Sequence, residues 1–95
     1  MTSLTQIEDH ILLGEILVRN KMPWMSLGIP WQNQETFAEV KRLFPYLCDD
    51  NVKLKDGQFE WQHYTRFAQQ RLKDLGVLEK VNPDLKDGLW VKVRE

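Results

Sequence analysis

Cysteine is almost missing from this 95-residue chain, with Cys48 the only one. One thiol closes no internal disulfide and supplies no structural zinc site. Long apolar runs are missing too. The longest uncharged stretch, residues 22–34, is interrupted by Pro23, Gly28 and Pro30, so no membrane-spanning segment is expected. There is no excess of either charge: 13 Lys+Arg face 14 Asp+Glu, a formal net charge of −1. A dedicated high-affinity DNA binder is usually more basic, because phosphate contacts dominate affinity. The five glycines form no phosphate-cradling loop, and Asp49-Asp50 matches no EF-hand or paired-carboxylate spacing. His10, His63 and Cys48 show no spacing of a nucleophile and its base. No catalytic residue, metal or cofactor is expected, and the chain reads as a binding module rather than an enzyme.

What is present suits one globular domain over residues 1–95, with 42% apolar and 28% charged residues. Glu8 and Asp9 stand where a secretory signal would be basic, so a cytoplasmic protein is expected. The charge is graded along the chain. Residues 1–51 hold four basic and seven acidic side chains, whereas residues 52–95 hold nine basic and seven acidic. A polyanionic partner is therefore expected to touch the C-terminal half.

Thr5-Gln6-Ile7-Glu8 has capping-box spacing, and Ile7, Ile11, Gly14 and Leu17 follow at helical spacing, which predicts a largely buried helix from about 5 to 20. Residues 22–32, MPWMSLGIPWQ, are uncharged and carry two tryptophans, two methionines and two prolines. They predict a turning path with a possible short strand, covering the end of the core. If Trp24, Met25 and Trp31 are exposed together, they form a patch for a second copy or a protein partner. Asn33 is placed to cap a second helix with Glu35 in its first turn and Phe37, Val40, Leu43, Phe44 and Leu47 on its apolar face, closed by Pro45.

A third helix is predicted from about 58 to 75. At 100° per residue, Trp61, Tyr64, Phe67, Ala68, Leu72 and Leu75 share one side, and Gln62, His63, Arg66, Gln69, Gln70 and Lys73 share the other. The polar side holds no carboxylate, which favours contact with an anion over a plain solvated face. Arg71 lies near the apolar side, as an internal partner or a packing stem. Gly76 ends the helix. Residues 77–81 and 89–93 then read as a β-hairpin around the connector 82–88. Leu89, Val91 and Val93 alternate with Trp90, Lys92 and Arg94, which predicts an inward apolar face and an outward basic, tryptophan-bearing face. The expected core is Ile7, Ile11, Leu17, Phe37, Val40, Leu43, Tyr64, Ala68, Leu72, Leu75, Leu78 and Val91.

Phe59-x-Trp61, Arg66-Phe67-Ala68, Leu72-Lys73-Asp74-Leu75-Gly76-Val77-Leu78 and Gly88-Leu89-Trp90-Val91-Lys92-Val93 occur in that order. Over this third of the chain the sequence resembles the N-terminal domain of Mrr-type restriction proteins. The resemblance implies a winged helix-turn-helix: a mainly α, α+β domain of three helices with a two- or three-stranded wing. It also implies a DNA-reading role of the kind used in restriction or transcription regulation. The chain differs from that family in carrying Asp84 and Asp87 in a connector that is usually basic, and in its apolar 22–32 segment. The residues expected at nucleic acid, most of all duplex DNA with RNA as a further candidate, are Gln62, Arg66, Gln69, Gln70 and Lys73 on the helix. Lys80, Lys92 and Arg94 join them from the hairpin. The other expectation is a winged-helix adaptor that binds protein, or a second copy of itself, through Trp24, Met25 and Trp31.

Overall fold

The computed structural model describes residues 12–95. Helix α1 covers residues 12–19. Strand β1 (Trp31–Gln32), helix α2 (Asn33–Leu43), a single 3-10 turn (Pro45–Leu47), helix α3 (Glu60–Asp74) and strands β2 (Leu78–Lys80) and β3 (Leu89–Lys92) follow. Among the described residues the class is α+β, three helices with a three-stranded antiparallel sheet in the order β1–β3–β2. The short strand expected from 22–32 is β1, with Trp31 opposite Trp90 and Gln32 opposite Leu89. The Thr5–Glu8 capping box, Ile7, His10 and Ile11 lie outside the described residues. Among those residues no helix is long and apolar enough to cross a membrane.

Helix α2 starts one residue earlier than its sequence suggests. Gln32 is the N-cap, and its backbone N–H donates to Glu35 Oε1 at 3.0 Å. Asn33 sits inside the helix, its side chain free for another task. Lys41 and Arg42 in the last turn complement the helix dipole. Pro45, which has no N–H to give, opens the 3-10 turn after Phe44. Helix α3 ends in a Schellman motif: the Gly76 N–H donates to Lys73 O at 3.0 Å and the Val77 N–H to Leu72 O at 2.9 Å. Gly76 takes φ +78°, a left-handed conformation that a side chain resists. Leu72 and Val77, at the two ends of the second of these hydrogen bonds, are both buried in the core.

The core joins all the elements. Leu13 and Leu17 come from α1, Phe37 and Val40 from α2, and Trp61, Ala68 and Leu72 from α3, with Leu78 and Trp90 from the sheet and Met22 and Met25 from the segment after α1. Phe37 meets Trp61 edge-on, with ring centroids 5.7 Å apart. The Trp61 indole N–H donates to Asp50 Oδ1 at 2.9 Å, and the Lys41 ammonium binds the same carboxylate. Lys41 first, then Trp61, hold the Asp50 carboxyl below its usual range. This braces the 48–59 loop against α3.

Three expectations about faces are corrected by the fold. The hairpin is inverted: Trp90 (7% exposed) and Lys92 (3%) point into the core, whereas Val93 is exposed and Leu89 and Val91 are half-buried. Burying the indole removes more apolar area from water than burying a valine, and in a period-two strand Lys92 must follow Trp90 inward. Lysine tolerates this because its stem is apolar and its ammonium donates to Met22 O at 3.1 Å. That carbonyl belongs to a left-handed pair, Lys21 at φ +57° and Met22 at φ +48°, which turns the chain after α1.

Helix α3 is also rotated. Its buried stripe is Trp61, Thr65, Ala68, Gln69 and Leu72, turned by roughly 55° from the expected one at 100° per residue. Phe67 is 61% exposed, Leu75 is exposed and Tyr64 is half-buried; Leu43 of α2 is exposed as well. Thr65 tolerates burial because its hydroxyl donates back to Trp61 O at 2.9 Å. In the third correction, Met25 is buried and Trp24 and Trp31 pack against the core, so the three do not form one exposed patch. The exposed apolar side chains of that segment are Leu27 and Ile29.

Candidate nucleic-acid interface

One joint positions the hairpin connector against α3. The Asn33 N–H donates to Gly88 O at 2.9 Å, and the Gln69 amide donates to Asn33 Oδ1 at 3.0 Å. The first turn of α2, the entrance to β3 and the middle of α3 thus meet at a single asparagine. Gly88 has φ +67°, and a Cβ there would lie 2.7 Å from Asn33 Nδ2 and 2.9 Å from its Cγ. A side chain there would be strained by the conformation and would force Asn33 from its place.

The connector is braced within itself. The Leu85 N–H donates to Asn82 O at 3.0 Å, Lys80 Nζ to Leu85 O at 2.7 Å and Asn82 Nδ2 to Asp87 Oδ2 at 2.8 Å. The Leu89 N–H donates to Asp87 Oδ1 at 3.2 Å. Hydrogen bonds from Asn82 and then Leu89 hold the Asp87 carboxyl below its usual range. One of the two connector carboxylates is therefore committed to shaping the loop.

Between α3 and this loop lies a groove of about 600 Å³. Arg66, Gln70, His63 and Phe67 line it from α3, Lys80 and Lys86 from the hairpin, and Asp56 and Gln58 from the loop before α3. Gln69, Asn33, Gly88 and Trp90 complete the lining. Three cations face one carboxylate, a basic field inside a concave surface. Arg66 and Lys86 are exposed, and neither has a hydrogen bond or ion pair among the described residues.

Of the residues expected at nucleic acid, the fold gathers Arg66, Gln69, Gln70 and Lys80 at this groove and leaves the rest outside it. Gln69 is 2% exposed and joined to Asn33, so it positions the groove instead of reaching out as a base reader. The Gln70 amide is exposed, its nearest partner Asp74 Oδ1 at 3.5 Å. Gln62 is half-buried, and Lys73 is exposed beyond the groove. Lys92 is corrected outright, because its ammonium is inside the protein. Burial pushes its pKa below the ordinary lysine value. Arg94 is exposed but donates to Leu75 O at 2.7 Å, where it neutralises the C-terminal end of α3.

The sequence reading missed Lys86, hidden in what looks like a plain Lys-Asp-Gly turn, and Phe67, placed on the apolar side of the helix. A signal for Phe67 existed: Trp61, Thr65, Ala68 and Leu72 follow the i, i+4, i+7, i+11 spacing of a single stripe, which leaves Phe67 off it. Nothing local marks Lys86. Comparison of the chain with family models, curated proteins and solved structures gave no match.

Proposed function

We propose that this chain is a winged-helix domain that binds nucleic acid, with α3 laid along duplex DNA and the β2–β3 connector acting as the wing. The order helix, strand, helix, helix, hairpin and the sheet order β1–β3–β2 support the winged-helix reading. The observation that carries the function is the pair of exposed cations, Arg66 on α3 and Lys86 on the connector, facing one groove without a partner among the described residues. Arg66 and Gln70 have the chemistry for guanine and adenine edges, and Lys86 and Lys80 for phosphate. With a net charge of −1, one copy binds modestly, and a second copy or a larger assembly adds affinity.

The test is a titration against random duplex, single-stranded DNA and RNA at two salt concentrations. Arg66→Ala should cost about 1–3 kcal/mol of binding and relax sequence preference, whereas Lys86→Ala should weaken all sequences alike and reduce the salt slope by about 1. No binding to any of the three at low salt would remove this reading. It would promote the second one, a protein-binding adaptor, which rests on Leu27 and Ile29 both being exposed in an uncharged segment. That reading requires a Leu27→Ser, Ile29→Ser double variant to lose self-association or partner binding.

A further inference from the structure

A helix that reads only the major groove needs a convex surface, yet Arg66 and Gln70 of α3 line a recess shared with Lys80 and Lys86. The recess measures about 600 Å³, within the range of pockets that enclose whole small molecules. Its walls are not only basic. Phe67 is a large apolar ring left 61% exposed on α3, and His63 stands one turn before it on the same helix. Asp56, Gln58 and Gln70 offer carboxylate and amide groups. Flat side chains beside amides and cations are what an unstacked nucleotide needs: a face to stack on, donors and acceptors for a base edge, and positive charge for the phosphate. The connector's internal hydrogen bonds and the Asn33–Gly88–Gln69 joint hold the recess open before any ligand arrives, which lowers the ordering cost of binding.

From this combination we infer that the recess takes one unpaired nucleotide, so that the preferred ligand is a duplex carrying an unpaired base, or a single strand, rather than a continuous duplex. The inference rests on nucleic-acid binding through this groove and narrows the ligand proposed above from any duplex to one that presents an unpaired base, or to a single strand. The base stacks on Phe67, with His63 beside it. Arg66, Gln70, Gln58 and Asp56 meet its edge. Lys80 and Lys86 hold the adjoining phosphates.

Fluorescence anisotropy with four probes of one sequence tests it: a blunt duplex, the same duplex with one unpaired base at its centre, single-stranded DNA and single-stranded RNA. The duplex with the unpaired base should bind about tenfold more tightly than the blunt one, the size of effect expected from one base–aromatic stack. Phe67→Ala should narrow that gap to less than twofold, and Phe67→Trp should keep it; the exposed position makes both variants compatible with folding, which circular dichroism checks. With 2-aminopurine as the unpaired base, stacking should quench its fluorescence on the wild type and not on Phe67→Ala. A single strand bound as tightly as the duplex with the unpaired base also supports the recess, and the DNA and RNA strands then identify the sugar. Equal affinity for the two duplexes, or a gap that persists in Phe67→Ala, overturns the inference and leaves nucleic-acid binding intact. Failure of all four probes to bind overturns both.

Discussion

Helix α3 and strand β3 carry the same kinds of residue, aromatic, aliphatic and basic, and treat their cations in opposite ways. Arg66, Arg71 and Lys73 stay in water on α3, whereas β3 draws Lys92 inside together with Trp90. The difference is geometric. A 15-residue helix buries one stripe and leaves most of its circumference outward, so a basic residue finds solvent almost wherever the stripe falls. A four-residue central strand has two faces, and whichever holds the largest apolar side chain takes its neighbours at i±2 with it. Charge on a helix therefore reports surface far better than charge on a short strand.

The comparison breaks first at Trp90. If the indole faces the core, Trp90→Ala should lower stability by about 3–5 kcal/mol in urea denaturation. An outward indole would cost no more than about 0.5 kcal/mol. Lys92→Ala comes next, at about 1–3 kcal/mol, because it removes a buried charge-assisted hydrogen bond to the strained Met22 turn. The same variant should leave the salt slope of nucleic-acid binding unchanged, since the ammonium faces a carbonyl and not solvent. A slope reduced by about 1 would return Lys92 to the surface. Smaller still, Arg94→Ala should cost about 0.3–1 kcal/mol through its bond to the end of α3.

The finest distinction is in alkaline solution. Burial lowers the pKa of Lys92, so between that lowered value and 10.5 the unfolded chain keeps a proton that the folded chain has released, and stability rises with pH. Burial pushes the Cys48 thiol the other way, from 9.0 up to about 11, so its ionisation favours the unfolded chain and lowers stability as pH climbs from about 9 toward 11. Denaturation from pH 9 to 10.5 in a Cys48→Ala background isolates the lysine. Adding Lys92→Ala should remove the rise; identical slopes with and without Lys92 would mean that its ammonium is as well hydrated in the folded chain as in the unfolded one.

The class and element order were legible in the sequence because they depend on local signals. Trp61 to Leu72 at helical spacing, Gly76 as a stop, Pro45 as a break and the 77–81 and 89–93 runs around a polar connector each act within a few residues. Part of the groove was legible too: Arg66, Gln70 and Lys80 lie where a polar helix face and a hairpin placed them. Gln69 was misread because its partner, Asn33, is 36 residues away, and Lys86 was missed because nothing near it in the chain announces a groove.

Periodicity by itself determined which side chains travel together: Trp90 with Lys92, Leu89 with Val91, Trp61 with Thr65, Ala68 and Leu72. Only the tertiary structure decided which of those sets meets the core. Both faces of β3 and two adjoining arcs of α3 are apolar enough to be buried, and the choice between them is made by contacts distant in sequence: Met22 accepting the Lys92 ammonium, Asn33 accepting the Gln69 amide, and Gly88 admitting Asn33 where any Cβ would collide.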